Sequence, residues 1–141
     1  RSAGPSTTAE VQRGMAGSVA ARADMTIVTY NVWFSELRKS ERAKALCSIL
    51  EVEEADVVCL QEVTPGFLQH LRELHWVREK YLLSDSIGTT LRGSELSYGV
   101  IMMFKGSTVE VKQLWLQLLP SRMNRAVVVA DLQLLDWNVR L

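Results

Sequence analysis

An excess of charge of either sign is missing from this 141-residue chain: 16 Lys and Arg balance 16 Asp and Glu. A neutral chain offers no basic face for a polyanion, so a phosphate substrate would have to be held by a local site. Cysteine is scarce. Cys47 and Cys59 lie in apolar surroundings and follow neither a CxxC nor any other metal-ligand spacing, which reads as buried free thiols in a reducing compartment. No window approaches the run of about 18 apolar residues that a membrane span needs. No charged-then-apolar secretory leader opens the chain, and no solenoid-length repeat is visible. Together these absences predict a soluble intracellular protein with no membrane partner.

Residues 1–24 contain no aromatic, Leu or Ile, and Val11, Met15 and Val19 are their only sizeable apolar side chains. Such a stretch buries too little surface to offset its conformational entropy, which predicts a disordered tail. Arg1, Arg13 and Arg22 hint at a targeting peptide, but Glu10 and Asp24 dilute the pattern. The chain starts with Arg rather than Met, as a processed product or a piece of a longer chain would. With 48% hydrophobic and 23% charged residues, 25–141 holds the apolar material for one domain.

Within that domain Thr26–Tyr30 reads as a β-strand ending at Asn31, and Ala43, Leu46, Cys47 and Leu50 carry the spacing of one helical face. Glu41, Arg42, Lys44 and Glu51 take the other face. Val57–Leu60 is a continuous apolar run, the mark of a strand covered on both sides, and strand–helix–strand predicts a right-handed parallel crossover. Thr64-Pro65 then starts a helix with a hydroxyl cap and Pro at its first position, followed by Phe67, Leu68, Leu71 and Leu74. Beyond it, Val77–Leu83, Tyr98–Phe104, Val109–Leu118 and Val127–Leu134 read as the strands of a β-meander. Val109 and Val111 have one parity and Leu114, Leu116 and Leu118 the other, so a bulge is expected near Lys112-Gln113.

The chemistry concentrates where apolar runs stop. Glu62 follows the covered strand directly, and a carboxylate there must meet solvent or a cation. If the two strands are parallel neighbours, Asn31 and Glu62 share the carboxyl edge of the sheet, where open α/β sheets hold ligands. An amide beside a carboxylate suits a hard cation such as Mg²⁺, which accepts one or two protein carboxylates when a substrate phosphate completes its shell. His70 and His75 lack a partner motif and read as surface residues.

At these residues the chain resembles the endonuclease/exonuclease/phosphatase superfamily. The resemblance is carried by Thr29-Tyr30-Asn31-Val32-Trp33-Phe34, the Glu41-Arg42 helix, Ala55 through Thr64, Ser97 through Met103, and Ser121-Arg122-Met123-Asn124-Arg125. These segments look most like the branch that cleaves tyrosyl–DNA phosphodiesters. The resemblance implies an α/β fold, about half of a four-layer α/β sandwich, with residues 25–141 the N-terminal portion of the domain. It implies Glu62 as direct metal ligand, Asn31 as the group orienting a metal-bound water or phosphate oxygen, and Trp33 and Arg125 as substrate contacts. Mg²⁺, or Mn²⁺ in its place, is the implied cofactor. DNA with a 5′-phosphotyrosyl end, the covalent topoisomerase–DNA adduct, is the implied partner, and the complete enzyme is expected to be a monomer. Other phosphoesterases of the superfamily (deadenylase, sphingomyelinase-like, inositol-phosphate phosphatase) and a non-catalytic binding product are the alternatives. The superfamily's Thr-x-His-Leu-Glu-Ser-like strand, Asp-x-Asn pair and closing Ser-Asp-His have no counterpart here, so the chain by itself is expected to be inactive and to leave apolar faces uncovered.

Overall fold

Ile27–Asn31 (β1) and Val57–Val63 (β2) run parallel with Ile27 opposite Val57 and Asn31 opposite Gln61, joined by helix α1, Lys39–Glu53. In the computed structural model the described residues are 24–91, 97–122, 125–134 and 137–141. The tail expected over 1–24 therefore lies, apart from Asp24, outside the described residues. The remaining elements are α2 (Pro65–Glu73), α3 (His75–Lys80), β3 (Tyr81–Leu83), β4 (Gly99–Lys105), β5 (Glu110–Leu118), β6 (Ala126–Leu134) and β7 (Trp137–Arg140).

Two sheets result, one ordered β1-β2-β4-β3 and one ordered β5-β6-β7. Alternation along β2 and β4 sorts the core into two layers. Val58, Leu60, Ile101 and Met103 pack under the helices against Leu46, Cys47, Leu50, Phe67, Leu68 and Leu71. Val57, Met102 and Phe104 point the other way and meet Val109, Ala130 and Leu132 of the second sheet. The molecule is thus α/β, with helices on one face of the first sheet and the second sheet on its other face. That arrangement covers β2 on both sides, as its unbroken apolar run requires.

Local chemistry explains the helix boundaries. Thr64 accepts a hydrogen bond from Phe67 N at 3.4 Å and Pro65 takes the first position of α2, a cap contributing about 1 kcal/mol. Leu46, Cys47 and Leu50 are buried on α1, but Ile49 and Val52 are exposed on its other side. Burial pushes the Cys47 thiol up to about 11 and raises Cys59 as well. Both are therefore protonated at neutral pH and act as small apolar side chains.

Two expectations are corrected. The strand expected over Val77–Leu83 is helix α3 to Lys80, and only Tyr81–Leu83 is extended. Arg78, Glu79 and Lys80 are exposed helix formers, while Trp76 and Val77 bury one side of a short turn. The meander is also divided. β3 and β4 are antiparallel partners within the first sheet, and β5–β7 form a separate antiparallel run in the second. The expected β5 irregularity is present, with the register shifting between Val111 and Gln113.

Candidate active site

Strict alternation along β2 would send Glu62 to the same face as Val58 and Leu60, into the apolar layer beneath the helices. A bulge prevents this. Leu60 pairs with Ile101 and Val63 with Gly99, so Gln61 and Glu62 together oppose Val100 alone. Glu62 absorbs the extra residue at φ 55°, in the left-handed region that non-glycine residues seldom occupy. Val63 resumes the helix-side core and is fully buried. Glu62 is thereby turned out at the rim.

There it lines a cleft of about 280 Å³ together with Asn31, Gln61, Thr90, Gly99 and Arg125. The cleft lies between the ends of the two sheets. β1 and β2 supply Asn31, Gln61 and Glu62, the start of β4 supplies Gly99 and Val100, and Leu116, Leu119, Arg125 and Ala126 close it from the second sheet. The structure brings together three of the four residues singled out above: Asn31, Glu62 and Arg125. Trp33 stands apart. It lines an adjoining pocket of about 150 Å³ that shares Asn31, is 47% exposed, and lies beneath the Arg42 guanidinium, 4.6 Å from its ring centre.

The rim is tied down by specific hydrogen bonds. Val32 N donates to Gln61 O at 2.9 Å, extending the β1–β2 pairing one residue beyond Asn31. Gln61 Nε2 donates to Thr29 Oγ1 at 3.0 Å and to Cys59 O at 3.1 Å. Asn31 Oδ1 accepts from Trp33 N at 2.8 Å, an Asx turn. The carboxamide oxygen is thus engaged by the backbone, and its Nδ2 is the group left to serve as a donor. Phe34 stacks on Tyr98 with ring centres 4.9 Å apart, linking the segment after Asn31 to a residue of the cleft.

The Thr90 side of the cleft is set by Asp85, which the sequence reading did not single out. Burial raises this carboxyl, but hydrogen bonds from Thr90 N and Oγ1, Gly88 N and Ile87 N outweigh it and bring the group down to about 2. Gly99 lets this loop approach β4, because a Cβ there would meet Leu91 Cδ2 at 3.0 Å and Thr90 O at 3.2 Å. An acidic residue followed by Gly-Thr-Thr was the available signal, the pattern of a side chain capping its own turn. His75 is on the surface beside Glu79 at 3.1 Å, and His70 borders a groove between α1 and α2. Neither is among the residues lining the cleft.

Among the described residues the cleft lining offers one carboxylate and no thiolate or imidazole, which suits a hard cation. Among the described residues no group of three His, Cys, Asp or Glu gathers as a metal cage. A single carboxylate fits a cation that keeps several waters and is completed by substrate phosphate. Among the described residues no helix is long and apolar enough to cross a membrane.

Residues 28–140 match the endonuclease/exonuclease/phosphatase family. Over 87 residues, 61% of this chain, it is 37% identical to the tyrosyl-DNA phosphodiesterase 2 of Xenopus laevis, of which the match covers 21%. A crystal structure of D. rerio TDP2 with a single-strand DNA product superposes with a TM-score of 0.68 at 26% identity, covering 82% of this chain and 43% of that one. A humanized D. rerio TDP2 gives 0.69, 26%, 82% and 44%. The chain therefore spans about a fifth of the full-length frog protein and under half of the solved fish domain.

Proposed function

The chain belongs to the endonuclease/exonuclease/phosphatase family, and from that premise we propose that residues 25–141 build one side of a metal-dependent phosphodiesterase site for DNA bearing a 5′-phosphotyrosyl end, the adduct left by a topoisomerase. One observation carries this reading: the β2 bulge turns Glu62 out of the core into the cleft that Asn31 and Arg125 also line. The tyrosyl–DNA substrate is favoured by the likeness to the frog enzyme and by the DNA product bound in the fish one.

Glu62 is the carboxylate that would hold Mg²⁺ or Mn²⁺. When bound, such a cation neutralises phosphate charge and stabilises the leaving oxygen. The chain's own groups position the substrate. Asn31 Nδ2 donates to a non-bridging phosphate oxygen, because its Oδ1 is held by Trp33 N. Arg125, among the residues lining the second-sheet side of the cleft, carries the planar fork that suits phosphate. A phenolate is a good leaving group, so positioning and electrostatics supply most of what the reaction needs. Among the described residues that line the cleft there is one carboxylate and no histidine, so on this reading Glu62 has no water-activating base beside it there. The 141-residue chain alone is therefore assigned binding without turnover.

The test is fluorescence anisotropy with a single-stranded oligonucleotide ending in 5′-phosphate, in Mg²⁺. Binding that weakens about tenfold in Asn31→Ala and Arg125→Ala, the loss of a charge-assisted hydrogen bond, supports the reading. Equal affinity for a 5′-hydroxyl oligonucleotide contradicts it. Release of tyrosine from 5′-phosphotyrosyl DNA by the pure chain, abolished in Glu62→Ala, would overturn the assignment of inactivity alone.

A further inference from the structure

Residues 32–38 leave β1 and reach α1 without a strand or helix of their own, so their carbonyls have no ladder to join. One side chain gathers four of them. Arg42, in the first turns of α1, donates through Nε to Leu37 O at 2.9 Å and through Nη1 to Val32 O at 3.3 Å. Its Nη2 donates to Trp33 O at 3.2 Å and to Ser35 O at 2.5 Å. The same guanidinium lies over the Trp33 ring. Helical spacing alone assigns Arg42 to the solvent face of α1, yet it is half-buried and turned back onto the segment that follows Asn31.

Trp33 is held at φ 60°, a conformation a non-glycine residue keeps only when its surroundings impose it. In that conformation its N–H meets Asn31 Oδ1. The chain of cause runs from the Arg42 fork to the carbonyl and ring of Trp33, from there to the direction of the Trp33 N–H, and finally to Asn31. We propose that Arg42 is a positioning residue of this site: by fixing the 32–37 turn it decides which edge of the Asn31 carboxamide faces the cleft. The proposal rests on the reading of Asn31 as phosphate donor and adds a device that neither the family match nor the cleft lining assigns. A lysine, with one ammonium and no fork, cannot reproduce four divergent contacts.

The test needs neither metal nor substrate, so it fails or succeeds independently of the phosphodiesterase reading. Amide hydrogen exchange is followed at Trp33, with Leu60 and Met102 as core references and the Asn31 Nδ2 protons identified by their loss in Asn31→Asp. In Arg42→Ala, Trp33 exchange should rise about tenfold, the scale of a lost hydrogen bond to a charged group. The Asn31 Nδ2 resonances should shift, and Leu60 and Met102 should keep their protection. Arg42→Lys should recover little of the Trp33 protection. Unchanged Trp33 exchange in Arg42→Ala, full recovery in Arg42→Lys, or a parallel rise at Trp33 and Leu60 would each overturn the proposal. Should Arg42→Ala fail to fold, Arg42→Gln retains the aliphatic stem and is read by the same criteria.

Discussion

Val63 occupies the core position that strict alternation assigns to Glu62. Both belong to β2, yet the pairing slips by one residue between Leu60 and Val63, and Glu62 takes φ 55° in the process. An unpaired carboxylate beneath the helices would cost several kcal/mol. The bulge replaces that with a local backbone strain of about 1–2 kcal/mol. Strain of this size at the residue that faces the cleft is a stability loss exchanged for that outward orientation.

The strain is measurable. Glu62→Gly relieves the left-handed backbone and should leave the urea midpoint at or above wild type, despite glycine's larger unfolded-state entropy. Glu62→Val places a β-branched side chain at the same φ and should lower stability by about 1–2 kcal/mol. A valine variant more stable than the glycine variant would show that the bulge does not persist in solution.

Asp85 gives the fold a pH dependence on the acid side. Its folded carboxyl sits at about 2, below an unfolded value near 3.9. A depressed carboxylate stabilises above its unfolded value and loses that contribution as pH falls toward its folded one. The window is therefore about pH 4 down to about pH 2, with about 2 kcal/mol at stake. In Asp85→Asn, chemical denaturation across this window should be flatter, and stability at neutral pH should fall by a similar amount. An unchanged profile in the variant would contradict the cap.

Gly99 is the contact between that loop and β4. A methyl group there meets Thr90 O at 3.2 Å and Leu91 Cα at 3.3 Å, backbone atoms that cannot swing aside. Gly99→Ala should cost about 1–3 kcal/mol and shift the Thr90 amide resonance, while α1 resonances stay in place. Wild-type stability would mean that the loop does not pack on β4 as described.

Apolar exposure predicts marginal behaviour. Ile27, Tyr30, Leu82, Leu118, Val127 and Trp137 are each more than 40% exposed on strands, and β1 and β7 are edge strands, a template for association. The isolated chain should bind a hydrophobic dye such as ANS and aggregate with rising concentration. A soluble monomer with one cooperative unfolding transition would contradict this.

What was legible in the sequence follows from what periodicity encodes. The β5 irregularity could be read because apolar side chains lie on both sides of it, so their parity visibly changes at Lys112-Gln113. The β2 bulge is the same defect but was silent, because it falls on Gln61 and Glu62, polar residues at the end of an apolar run. Asn31 and Glu62 were legible as strand-end polar groups, and Arg125 only through resemblance. The α3 helix was missed because Trp76-Val77 and Tyr81-Leu82-Leu83 blend into one β-rich stretch. The split meander was out of reach, since a strand's alternation says which face is apolar but not which sheet it joins. Arg42 was hidden for a related reason: its carbonyl partners are placed by the turn after β1, not by the period of α1.

Paramagnetic broadening by Mn²⁺ tests the central claim most directly. Titrated into the ¹⁵N-labelled chain, the ion should broaden resonances of Asn31, Glu62, Thr90 and Ala126 first, and Glu62→Gln should abolish the effect. Broadening centred on the exposed acidic surface around Glu54, or an unchanged response in Glu62→Gln, would contradict a shared cation-binding cleft at the ends of β1 and β2.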